Sequence, residues 1–76
     1  MAEYTLTAYI EFDPDTNLFV GTIPSLPGAH TQGATLDELS QNLREVIELC
    51  LEEAKSRGEQ VEFGAFVGIQ QITVTL

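Results

Sequence analysis

Four side chains are of the types that chemistry requires: Asp13 and Asp15 two positions apart, the single histidine His30, and the single cysteine Cys50. The two carboxylates could be read as a divalent-cation or acid–base pair, and Cys50 with His30 as a nucleophile and its base. Each has a plainer account. Asp13-Pro14-Asp15-Thr16-Asn17 is turn chemistry, because Asx side chains bond their own backbone and Pro14 pre-sets its φ. Metal-dependent nuclease chemistry gathers carboxylates from several elements, and the later segments offer no inward match. Cys50 is in phase with Val46, Ile47 and Ala54, which reads as a small buried hydrophobe. His30 suits a structural role in a short strand or a place on a partner-facing edge. One histidine and one cysteine are too few for a zinc site. Gly28, Gly33 and a helix start at Leu36 have no phosphate-loop spacing, and Asp37 and Glu38 would repel a phosphate. The expectation is therefore no enzyme, no cofactor and no metal.

The elements that position these residues follow from periodicity. Tyr4, Leu6, Ala8, Ile10 and Phe12 alternate with Thr5, Thr7 and Glu11, which predicts a strand from Tyr4 to Phe12. After the Asp13–Asn17 turn, Leu18–Ile23 returns as the second strand of a hairpin and stops at Pro24. Pro24 and Pro27 stiffen a corner that Gly28 closes with a positive φ, leaving Ala29–Gly33 for a short third strand. Thr35 and Glu38 form a capping box for a helix beginning at Leu36. Its apolar stripe is Leu36, Leu39, Leu43, Val46, Ile47, Cys50, Leu51 and Ala54, and Gly58 is its left-handed stop. From Val61 to Leu76 strand character returns, with Gln70, Ile72, Val74 and Leu76 on one face. The expected fold is α+β, in the order β-β-β-α-β. One long helix lies on one face of a four-stranded sheet of order 3-2-1-4, the last strand beside and parallel to the first. Tyr9, Phe19, Phe63, Phe66 and Val67 are candidates for the uncovered face, whose burial self-association into a homodimer or higher oligomer would supply.

Seventy-six residues make one domain. Three basic against twelve acidic side chains give a net charge of −9, which disfavours direct contact with nucleic acid or anionic membranes. A single cysteine precludes an internal disulfide, and no basic-then-apolar leader or 18-residue apolar run is present, so a reducing cytoplasm is expected.

The run Ile23-Pro24-Ser25-Leu26-Pro27-Gly28-Ala29-His30-Thr31-Gln32-Gly33-Ala34-Thr35-Leu36-Asp37-Glu38-Leu39, preceded by Phe12-Asp13-Pro14-Asp15 and followed by a long amphipathic helix, resembles the HicB-like antitoxin family over essentially the whole chain. The resemblance implies a partial ribonuclease-H-like domain that binds a small basic mRNA-cleaving toxin of the HicA-like kind and covers its catalytic histidine. The acidic balance suits such a partner. Longer members carry an operator-binding module after this domain; with the chain ending at Leu76, none is expected here. Partner-facing residues under this reading are His30, Gln32, Glu45, Glu48 and Glu52, although Glu45, Glu48, Glu52 and Glu53 also read as a solvated helix face. Pro24, Pro27, Gly28, Gly33, Thr35, Glu38, Leu43 and Gly58 are expected to build the fold. The alternative is a stand-alone oligomeric domain, structural or regulatory, that binds another protein or a small ligand.

Overall fold

The computed structural model describes residues 3–59 and 67–76. Its elements are β1 (Tyr9–Asp13), β2 (Leu18–Thr22), β3 (His30–Gly33) and α1 (Leu36–Ser56). The three strands form one antiparallel sheet in the order β1-β2-β3, so the class is α+β. The β1–β2 turn closes as its Asx residues dictate. Asp15 N–H donates to Asp13 Oδ1 at 3.0 Å, Asn17 N–H donates to the Asp13 carbonyl at 2.8 Å, and Asn17 takes a φ of 59°. Between β2 and β3, Ile23 N–H donates to Ala29 O at 2.9 Å while Gly28 sits at a φ of +84°, the conformation the Pro24–Gly28 corner needs.

Register sets the two faces of the sheet. Ile10, Gly21 and Thr31 are aligned across the three strands, as are Phe12, Phe19 and Gly33. A Cβ built on Gly21 would meet Leu43 and Leu39 side-chain atoms at 3.0–3.2 Å, and one on Gly33 would lie 2.6 Å from the Leu39 backbone nitrogen. These rows therefore face α1, and the glycines let the helix approach closely. Ile23, Leu26, Ala29, Leu39 and Leu43 form the buried core, with Leu6, Ala8, Phe19, Val46, Ile47 and Cys50 packed around it. Full burial of Ile23 and Leu39 contributes roughly 1.5–3 kcal/mol each. The Phe12 and Phe19 rings meet edge to face with centroids 5.1 Å apart.

Both ends of α1 are satisfied locally. Thr35 Oγ1 accepts from Glu38 N–H at 3.1 Å, one half of the expected capping box; among the described residues the Glu38 carboxylate makes no return bond to Thr35 N–H. At the other end Gly58, at a φ of +70°, donates to Lys55 O while Glu59 N–H donates to Ala54 O, the paired bonds of a Schellman stop. Arg57 bonds Glu59 through two guanidinium nitrogens at 3.1 and 3.3 Å and Glu53 at 3.2 Å; Glu59 first, then Glu53, raise its already high pKa.

Four expectations are corrected. The first strand begins at Tyr9 rather than Tyr4, because β2 ends at Thr22 opposite Tyr9 and Ile23 bends into the corner, leaving no backbone opposite the preceding residues. No fourth strand forms among the described residues: 67–76 belong to no strand and are exposed, so the order 3-2-1-4 reduces to three strands. Period-two alternation marks a segment able to pair without specifying what it pairs with. The start of that expected strand, including Phe63 and Phe66, lies outside the described residues. Leu36 is 55% exposed despite its helical phase, since contact with the sheet begins one turn later, where Gly33 abuts Leu39. Phe19, expected on the uncovered face, is half-buried on the helix side, while Tyr9 and Val67 are exposed.

Candidate functional site

None of the four chemically capable side chains gathers a catalytic set among the described residues. The Asp13 carboxylate caps its own turn. Cys50 is half-buried against the core, in phase with the helix stripe. His30 is exposed at the start of β3, its Nδ1 3.2 Å from the Gly28 carbonyl, so its ring is tied to the corner that precedes it.

The expected partner-facing residues divide between two surfaces. Strand alternation places His30 and Gln32 on the face of the sheet turned away from α1, in rows with Tyr9 and Thr22 and with Glu11 and Val20. Both are exposed. Glu45, Glu48 and Glu52 step by three and four along α1, on the side opposite Leu39, Leu43 and Ala54, and are exposed too. The sheet and helix lie between the two sets, so one small contact cannot use all five.

The acidic stripe is electrostatically open. Among the described residues the ion pairs are Arg57 with Glu53 and with Glu59, beyond the end of the stripe. Glu45 accepts a neutral hydrogen bond from Gln41 Nε2 at 3.3 Å, and neither Arg44 nor Lys55 pairs with the stripe. Three carboxylates thus face solvent on a rigid, doubly capped helix. They can offer acceptors to cations held by another molecule without first breaking an ion pair among the described residues.

A third feature is a groove of about 520 Å³ between the residues preceding β1 and α1. Leu6, Ala8, Ile23, Leu43, Ile47 and Leu51 supply its apolar lining, and Arg44 and Glu48 also line it. Sequence reasoning had not found it, because the groove exists only through the approach of two segments distant in the chain. Two supporting residues were missed as well. Asn42 Nδ2 donates to the Gln32 carbonyl at 2.8 Å, tying α1 to β3, with no signal in the sequence. Gly21 was signalled by its position inside an otherwise β-branched and aromatic run.

A family model described as UPF0150-like matches residues 5–61, from before β1 to beyond the end of α1. A UPF0150 protein of Thermotoga maritima is 46% identical over 68 residues, covering 90% of this chain and 87% of that protein. UPF0150 proteins of Synechocystis sp. and Archaeoglobus fulgidus are each 48% identical over 65 residues, covering 86% of this chain and 87% of theirs. No solved structure matches the chain significantly. With its sheet, corner and helix all inside the matched span, the chain belongs to the UPF0150 family.

Proposed function

We propose that this protein is a non-catalytic binding module of the HicB-like antitoxin kind, which captures and masks a small basic ribonuclease through the outward face of α1. The observation that carries the reading is the row Glu45, Glu48 and Glu52, exposed and without an ion-pair partner among the described residues, on a chain of net charge −9. A ribonuclease must present cationic side chains to RNA phosphates. A helix displaying carboxylates at a 3- and 4-residue spacing occupies the same cations and excludes RNA by competition and by charge. The corner-to-helix run from Ile23 to Leu39 supports the family resemblance, and the corner and capped helix start supply the rigidity that presents the stripe. His30 and Gln32, on the opposite face, are assigned to a separate contact. A partial ribonuclease-H-like fold and a cytoplasmic location belong to this proposal. Among the described residues no helix is long and apolar enough to cross a membrane.

Co-expression with a small basic protein encoded by an adjoining gene tests the proposal, and a genome in which no such gene adjoins this one counts against it. The expected result is a stable complex and rescue of growth that the basic protein alone arrests. Separate purification of the two, with continued arrest, refutes it.

A further inference from the structure

Two parts of the chain are complementary to each other and left open. One is the outer edge of β1: among the described residues no strand flanks it, Tyr9, Ile10 and Phe12 are 44–51% exposed, and Thr5–Ala8 continue beyond the last ladder pair beside the apolar groove. The other is the segment 67–76, where Ile72, Val74 and Leu76 are 71–116% exposed and alternate with Thr73 and Thr75, so that as a strand they would share one face. Its residues Gln70–Leu76 would span about 23 Å as a strand, long enough to lie along most of the edge from Thr5 to Asp13.

We propose that residues 70–76 of one copy add as a fourth strand to the free edge of β1 in a second copy, with Ile72, Val74 and Leu76 laid into the groove lined by Leu6, Ala8 and Ile47. The exchange is reciprocal about a two-fold axis. A second copy is the occupant for three reasons. Residues 67–76 are exposed although, among the described residues, nothing pairs with the outer edge of β1, and a molecule holding both a segment able to form a strand and the site for it satisfies both by exchange. The segment Val67–Leu76 has no charged side chain, so it carries no like charge into the contact itself, although each copy bears a net charge of −9. A neutral apolar strand offers a basic partner no charge pairing, which the acidic helix does offer. Strand addition also satisfies the unpaired amides and carbonyls of an edge that otherwise invites uncontrolled association. The inference stands apart from the proposed partner: loss of ribonuclease binding leaves it intact, and loss of exchange leaves the acidic stripe intact.

The experiment is isotope-filtered NMR on the full chain, mixing labelled and unlabelled copies in equal amounts, with sedimentation on the same sample. Expected are a mass twice the 8.3 kDa of the chain and intermolecular methyl contacts from Ile72 and Val74 to Leu6 or Ile47. Ile72→Asp/Val74→Asp should become monomeric with α1 still helical by circular dichroism, and Thr73→Pro, which removes a ladder N–H, should weaken the dimer as well. A monomer with those contacts only within one chain overturns the proposal, as does a dimer that survives both substitutions or lacks intermolecular contacts from Ile72 and Val74.

Discussion

Gly33→Ala is the sharpest perturbation of the scaffold that presents the acidic helix. The added methyl would lie 2.6 Å from the Leu39 nitrogen, 2.9 Å from its Cα and 3.1 Å from the Glu38 carbonyl carbon. All three are backbone atoms in the first turn of α1, so no rotamer change relieves the contact; the helix must move off β3. Overpacking of this kind costs about 1–3 kcal/mol. The displacement also disturbs fully buried Leu39, which places the expected loss near the upper end. Against it stands the reduced entropy of the unfolded chain, about 0.4–1 kcal/mol for Gly→Ala. The net expectation is a loss of about 2 kcal/mol, a large part of the roughly 4–11 kcal/mol available to a chain of this size. Urea unfolding followed by far-UV circular dichroism should show a lower midpoint at unchanged slope, and Tm should fall by about 8–16 °C. Gly28→Ala provides the control: its methyl meets nothing within 4 Å, and the penalty is the positive φ alone, about 1–2 kcal/mol before the same entropic offset. A Gly33→Ala protein as stable as the parent, or less affected than Gly28→Ala, refutes the close approach of α1 to β3 on which the presentation of the stripe depends.

Further outcomes follow from the same structure. Thr35→Ala removes the acceptor of Glu38 N–H and should lower stability by about 1 kcal/mol in urea unfolding, with Thr35→Ser restoring most of it. Leu43→Asp places a carboxylate at a 6% exposed position against Gly21, a loss of several kcal/mol that should abolish cooperative unfolding at neutral pH. Asp13→Asn keeps a side-chain oxygen able to accept from Asp15 N–H, so Tm should change by only a few degrees, whereas Asp13→Ala should show a clear drop. Glu45→Lys/Glu48→Lys/Glu52→Lys, which takes the net charge from −9 to about −3, should leave thermal unfolding nearly unchanged because all three are exposed.

Local chemistry was legible in the sequence, and association between distant segments was not. The turn residues Asp13–Asn17, the corner at Gly28, the Thr35 cap and the Gly58 stop each act within a few positions of themselves, and all four appear where expected. The stripe from Leu39 to Ala54 was likewise legible, because one helical period decides it. Strand extent was misread at Tyr4–Ala8 and at 67–76 for a single reason: alternation shows that a segment has an apolar face, while its pairing depends on what backbone lies opposite. For Tyr4–Ala8 the answer was decided by where β2 turns, a matter of Ile23 and Ala29. The five residues expected to face a partner all lie on exposed positions, yet their division between two faces required the strand register, which no single segment contains.

The central claim is that the outward face of α1 binds a basic partner. Its most direct test is the affinity of the purified full chain for a small basic protein encoded by an adjoining gene, measured by titration calorimetry at two salt concentrations with the parent and with Glu45→Lys/Glu48→Lys/Glu52→Lys. Tight binding by the parent, weaker at higher salt, is expected, with a loss of at least a hundredfold in the charge-reversed protein while its Tm holds. Equal affinity for the two proteins, or no binding by the parent, contradicts it.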